Sequence, residues 1–170
     1  MDIKNEKLIY QSEKISVVEL STPRGTRILL DLGVDAVLVV PITSNGDYIL
    51  TVQNRAGKDE PVYEFPSGGI REGESPQEAA KRELKEEVGA KASLSFIAKV
   101  EPLSGLVKFN IYIFSAIIDE ISEEDKFLDE HELVSTVQLS EIELLNKIKS
   151  MEIVDGYIIL GLGALNLKKN

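Results

Sequence analysis

Between Ser75 and Gly89 the chain spells one amphipathic helix with both ends marked. Ser75 suits an N-cap, Pro76 the first helical position, and Glu78 completes a capping box. Gly89 is placed to end the helix. At about 100° per residue, Ala80, Leu84 and Val88 line up as a stripe that must be buried. Glu83, Glu86 and Glu87 fall beside that stripe at i, i+3 and i+4. Glu78, Lys81, Arg82 and Lys85 fall on the far side, where Glu78 and Arg82 are spaced for an i,i+4 ion pair. Any fold built around this helix must seat an apolar face and leave three carboxylates together.

That grouping is unfavourable by itself. Like charges at i,i+4 cost roughly 0.2–0.5 kcal/mol per pair, and a helix C-terminus disfavours negative charge. A bound cation reverses both penalties. Clustered hard oxygens suit Mg²⁺, with Mn²⁺ as the alternative, because such ions keep several waters and bridge to phosphates. For an isolated Glu-rich helix, a solvated acidic face is the plainer reading, and the flanking sequence has to decide.

The remaining segments supply a sheet. Lys14 to Leu20 and Thr26 to Leu32 read as strands joined through Thr22-Pro23-Arg24-Gly25, a type I turn. Asp35 to Ile42 reads as a buried strand, and Ser44-Asn45-Gly46 turns it back into Tyr48 to Gln53. Val62 to Phe65 is a short strand ending at Pro66. Leu94 to Val100, Phe109 to Ile118 and Leu133 to Leu139 read as further strands, with Ile121 to Glu132 as an acidic loop. Ser140 and Glu143 form a second capping box for a helix to about Lys149. Asp155 caps a last helix to about Leu167, weakened by Gly161 and Gly163. The expectation is an α+β fold: a mixed β-sheet sandwiched by helices, with an N-terminal β-hairpin extension.

Composition narrows the class. A chain of 170 residues fits one domain with its own core. It has no cysteine, which excludes disulfides, thiolate metal sites and a cysteine nucleophile and points to a reducing, cytoplasmic setting. The formal net charge of -10 argues against a nucleic-acid surface, which needs a basic face. It leaves room for a small phosphorylated substrate held through cations. Met1 to Lys7 lacks the apolar core of a signal peptide, and the longest apolar stretch, Tyr157 to Leu167, is too short to span a bilayer. No membrane association is expected.

The run Gly68-Gly69-Ile70-Arg71-Glu72-Gly73-Glu74, a spacer from Ser75 to Lys81, then Arg82-Glu83-Leu84-Lys85-Glu86-Glu87-Val88-Gly89-Ala90 resembles the Nudix box. Every fixed position matches except the last, where Ala90 is smaller than the usual Ile, Leu or Val. The resemblance implies a Nudix fold, with Glu83 and Glu87 as main metal ligands, Glu86 as a catalytic residue that also binds the metal or stands next to its ligands, and the Ser67 carbonyl as a further ligand. It implies that Arg82 and Glu74 brace the loop by ion pairing, and that Gly68, Gly73 and Gly89 meet backbone demands.

The flanks resemble the ADP-ribose pyrophosphatase branch of that family. Residues 1–33 would be an extension that builds a homodimer, and 34–170 the hydrolase domain. Gln53-Asn54-Arg55 resembles the branch's Gln-x-Arg, with Arg55 on substrate phosphate. Glu64-Phe65-Pro66-Ser67-Gly68 resembles its Glu-Leu-Pro-Ala-Gly lead-in, which puts Glu64 at the substrate. Asp129-Glu130-His131-Glu132 resembles a loop supplying a catalytic base, Glu130, and an additional metal ligand, Glu132. His131 is then one polar residue of that loop. The branch's Ser-Pro-Gly-Phe reads Pro102-Leu103-Ser104-Gly105-Leu106 here, so Gly105 and Leu106 would shape the substrate loop.

What the resemblance implies is metal-dependent hydrolysis of a diphosphate linkage, with ADP-ribose giving AMP and ribose 5-phosphate. The alternatives are another sugar nucleotide, a nucleoside triphosphate or a dinucleoside polyphosphate as substrate, or a non-catalytic binding module of the same fold. Tyr10, Tyr48, Tyr63 and Phe65 could stack on a base, but aromatics in strands are more often core.

Overall fold

The structure is a computed structural model that describes residues 5–122 and 134–168. The expected α+β architecture is present. Its strands are β1 (Asn5–Gln11), β2 (Ser16–Thr22), β3 (Gly25–Asp31), β4 (Ala36–Thr43), β5 (Tyr48–Gln53), β6 (Val62–Glu64), β7 (Ser67–Gly69), β8 (Leu94–Val100), β9 (Val107–Lys108), β10 (Ile111–Ile118) and β11 (Val134–Leu139). Helices α1 (Pro76–Glu83), α2 (Glu141–Lys149) and α3 (Gly156–Lys168) pack on them.

The main sheet runs in the order β11-β5-β4-β10-β8, with β6 added to β5 and β7 to β4. It is mixed, because β10 lies parallel to β4 while β8 lies antiparallel to β10. Strand alternation sends successive side chains to opposite faces. Val37, Val39 and Ile49 therefore meet Ala80, Leu84 and Val88 of the α1 segment, while Leu38, Val40 and Leu50 meet Leu144, Ile158 and Leu165 of α2 and α3. The run from Val37 to Val40 is fully buried for this reason, one residue in two on each side.

The N-terminal extension contains the expected hairpin, formed by β2 and β3, and is larger than it. It is a sheet in the order β1-β2-β3-β9, in which β1 and β9 were not foreseen. All seven residues of β1 are exposed, so no burial pattern marks the strand; it is held by antiparallel pairing with β2. The β2 strand also starts later than Lys14, because Ser12 folds the chain there. The Ser12 hydroxyl donates to the Ile15 carbonyl and accepts from the Ile15 N–H. The turn from β2 to β3 has Thr22 paired with Gly25, and Gly25 takes φ 109°.

Gly161 does not weaken α3 by accident. A Cβ there would lie 2.9 Å from Val40 Cγ2 and 3.1 Å from Phe65 Cδ2, so the glycine lets the helix settle onto β4. Gly161→Ala is expected to cost about 1–3 kcal/mol through overpacking, more than the roughly 1 kcal/mol of helix propensity it gains. Thermal melting should show a lower Tm; a higher one would mean the helix has room to move outward. Gly163 has open space around its Cβ direction, and nothing in the structure explains it.

Candidate active site

The capping box at the start of α1 forms as expected, with the Ser75 hydroxyl accepting from the Glu78 N–H and the Glu78 carboxylate accepting from the Ser75 N–H. Beyond Glu83 the helix widens into one π-helical turn, Leu84–Val88, which Gly89 ends at φ 75°. Such turns are rare and recur at functional sites. Here the turn carries Glu86 and Glu87.

The loop before α1 corrects one expectation. The Glu78–Arg82 pair does not form, because Glu78 is committed to Ser75, and Arg82 turns off the far side of the helix. Its Nε and Nη2 donate to the two oxygens of Glu74, each at 2.9 Å, and Nη2 also donates to the Gly69 carbonyl at 2.9 Å. Nη1 donates to Glu83 Oε1 at 2.5 Å and to Glu86 Oε2 at 3.1 Å. All five N–H donors of the guanidinium are thereby used. The Glu74–Arg82 brace is present, and it extends to two carboxylates of the helix.

Glu83 and Glu87 are buried carboxyl groups, 9% and 8% exposed. Both lie against the backbone of β7. The Ser67 N–H donates to Glu87 Oε2 at 3.3 Å, and a Cβ on Gly68 would fall 1.9 Å from Glu83 Oε1. Gly68 is therefore a glycine because the Glu83 carboxylate occupies its side-chain space. Burial pushes the Glu87 carboxyl up from 4.5 to about 8, with the neighbouring Glu83 charge adding to the rise. Burial also raises Glu83, against the pull of Arg82.

Buried carboxylates side by side, made of hard oxygens, suit a divalent cation by donor chemistry. Among the described residues, no three acidic or histidine side chains yet converge on one point. Glu86 is turned to Arg82 and, at 3.5 Å, to Arg71. Glu130, His131 and Glu132 lie outside the described residues.

Arg55 stands at the end of β5 in a seat of its own. Its Nε donates to Glu64 Oε1 at 3.0 Å and its Nη2 to Glu64 Oε2 at 2.6 Å. Gln53 Nε2 donates to the same Glu64 Oε2 at 2.7 Å. The Arg55 charge acts to lower the Glu87 pKa and the Glu64 charge to raise it, both weaker than the burial of Glu87 itself. The sequence named Glu64 and Arg55 separately; the antiparallel register that sets Thr51 opposite Glu64 places Gln53 diagonally from it, and Arg55 joins from just beyond the end of β5, which no local pattern displays.

Gly105 and Leu106 lie beside the N-terminal sheet. Gly105 takes φ 83° in the turn before β9, and the Leu106 carbonyl accepts from the Leu30 N–H. They belong to the N-terminal sheet, and no hydrogen bond among the described residues joins them to the glutamates. Tyr48 and Phe65 are core residues, their ring centroids 6.2 Å apart. No helix among the described residues is long and apolar enough to cross a membrane.

A family model for the NUDIX domain matches residues 33–159. The chain is 30% identical over 135 residues to an ADP-ribose pyrophosphatase of Bacillus subtilis (strain 168), covering 79% of this chain and 73% of that protein. It is 26% identical over 171 residues to a methanol dehydrogenase activator of Bacillus methanolicus, covering 98% and 92%. A crystal structure of an ADP compounds hydrolase superposes with TM-score 0.78 at 26% identity, covering 97% of this chain and 91% of that one.

Proposed function

The chain belongs to the Nudix family and is a Nudix hydrolase of the ADP-ribose pyrophosphatase-like type, and on that premise we propose that it cleaves the diphosphate linkage of ADP-ribose, giving AMP and ribose 5-phosphate. The observation that carries this reading is the pair of buried carboxyl groups, Glu83 and Glu87, packed side by side on the backbone of β7. The similarity to proteins named for ADP-ribose and ADP compounds supports the substrate class.

Members of this family generally use a divalent metal, and Mg²⁺, or Mn²⁺, is the ion proposed here. Glu83 and Glu87 would hold it, with the Ser67 carbonyl and Glu132, and with Glu86 beside them. When bound, the ion supplies neutralisation of the diphosphate and a seat for the attacking water. Arg55 stabilises charge on the phosphates. Glu130 takes the proton of the water as it attacks phosphorus, and the P–O bond to the leaving phosphate breaks. In this reading Gly105 and Leu106 shape the substrate loop.

Glu130→Gln is expected to depress kcat by about 10²–10⁴-fold, the range for an acid–base group, with Mg²⁺ dependence unchanged. Glu132→Gln should shift the Mg²⁺ dependence as well, and His131→Ala should alter neither. Titrating kcat against Mg²⁺ for the three variants checks the set, and rescue of Glu130→Gln by added Mg²⁺ would refute its role.

The protein is further proposed to work as a homodimer through its N-terminal sheet. Leu8, Ile9, Tyr10 and Ile28 of β1 and β3 are exposed, apolar side chains of the kind that association covers. Light scattering at micromolar concentration should give twice the 18.8 kDa chain mass. A monomer across the accessible range would contradict it.

A further inference from the structure

We propose that Gln53 and Glu64 are positioning residues that aim Arg55 at the diphosphate, and that Glu64 does not itself bond the diphosphate. The inference rests on the reading that Arg55 meets a substrate phosphate. Its structural half stands on the hydrogen bonds alone.

The seat is built from strand geometry. Period-two alternation puts Thr51 and Gln53 of β5 on the same face of the sheet, and the antiparallel register sets Glu64 of β6 opposite Thr51. The Thr51 hydroxyl, fully buried, donates to the Glu64 carbonyl at 3.2 Å and fixes the β6 backbone there. Gln53, 5% exposed, then donates its amide to Glu64 Oε2. Only above these two does Arg55 close on the carboxylate, through Nε at 3.0 Å and Nη2 at 2.6 Å.

Exposure rises along that ladder. The Glu64 side chain is 13% exposed and that of Arg55 42%. The anchor is buried and the guanidinium reaches solvent, which is where a phosphate would arrive.

The chemistry of Glu64 points the same way. An ionised carboxylate only accepts hydrogen bonds, and so do the oxygens of a diphosphate. Glu64 cannot bond a phosphate; it would repel one. Its oxygens are already taken by Gln53 and Arg55. What it can do is hold the planar fork of Arg55 in one orientation before substrate binds, so that the rotamer freedom of a long side chain is lost in folding rather than in binding. Charge attraction alone would not need this seat. Glu64 offsets part of the Arg55 charge, so what the seat adds to recognition is the fixed geometry of the fork.

A double-mutant cycle tests the assignment. Glu64→Gln should lower kcat/KM about 10- to 100-fold, as loss of an orienting partner does, and Gln53→Met should lower it by a smaller factor. In an Arg55→Ala background, Glu64→Gln should then change kcat/KM less than about twofold, since residues acting through one another are not additive. Multiplying effects would overturn the proposal, because they would mean that Glu64 acts on the substrate directly.

A second readout needs no substrate. The Arg55 Nε–H resonance in a ¹⁵N spectrum should be sharp and slow to exchange in the wild type, and broadened in Glu64→Gln and Gln53→Met. An unchanged resonance in both variants would overturn the seat itself. A wild-type protein that turns over no diphosphate would refute the functional reading, while the resonance still reports on the seat.

Discussion

Glu87→Gln is expected to lower turnover at saturating Mg²⁺ by about 10²–10³-fold, the range for deleting one group that stabilises transition-state charge. At the same time it should make the protein more stable at pH 8 in the presence of a chelator. The two effects share a cause. The Glu87 carboxyl is buried beside Glu83, and its pKa rises from 4.5 to about 8. A rise of that size corresponds to roughly 5 kcal/mol of unfavourable charging.

The sign of the pH dependence follows. Between pH 4.5 and about 8 the folded protein keeps a proton on Glu87 that the unfolded chain has released. The stability linked to that proton is fully present below pH 4.5 and is lost as pH rises through about 8. Glu83 is shifted in the same direction. Thermal melts in chelator should therefore show Tm falling across this window for the wild type, and less steeply for Glu87→Gln. Added Mg²⁺ should restore Tm at pH 8 in the wild type and much less in the variant. A flat wild-type profile would contradict the burial argument.

Gly68→Ala should separate the fold from the site. Gly68 does not take a positive φ, so the backbone accepts alanine. The added Cβ would fall 1.9 Å from Glu83 Oε1, 2.3 Å from its Cδ and 2.7 Å from Oε2. The carboxylate is the end of a flexible side chain and swings away, giving up its bond to Arg82 Nη1. The expected loss of stability is small, about 2–4 °C in Tm for each kcal/mol. Misplacing a catalytic group by an ångström is enough for about a 10²-fold loss of rate. Calorimetric Mn²⁺ titration should show weakened binding to a protein that still melts cooperatively. Wild-type affinity in a folded Gly68→Ala would mean that the Glu83 carboxylate does not bind from this position.

Much of this was legible in the sequence, and the limits have physical causes. The capping boxes at Ser75 and Ser140 and the left-handed Gly89 appear where local chemistry put them, since caps depend on neighbours three residues away. The buried run from Val37 to Val40 was readable because both faces of β4 are covered. By contrast, β1 carries no burial signal, and β7 is three residues with two glycines whose strand character comes wholly from pairing with β4.

The site divides the same way. Helical spacing grouped Glu83, Glu86 and Glu87, and the resemblance to the Nudix box is what gave them an expected role. Arithmetic at 100° per residue misplaced Arg82, because a long side chain follows its acceptors and those lie on a loop and on β7. The Gln53–Glu64–Arg55 seat spans two strands and was invisible to any local pattern. The burial of Glu83 against Gly68 depends on how closely α1 approaches β7, which sequence does not report.

The central claim, diphosphate hydrolysis at the Glu83–Glu87 site, is tested most directly by identifying products. Purified protein would be incubated with ADP-ribose, a second sugar nucleotide, a nucleoside triphosphate and a dinucleoside polyphosphate, each with Mg²⁺ or with chelator, alongside Glu87→Gln. The account predicts AMP and ribose 5-phosphate from ADP-ribose, dependent on Mg²⁺ and on Glu87. No metal-dependent cleavage of any diphosphate, or cleavage that Glu87→Gln leaves intact, would contradict it.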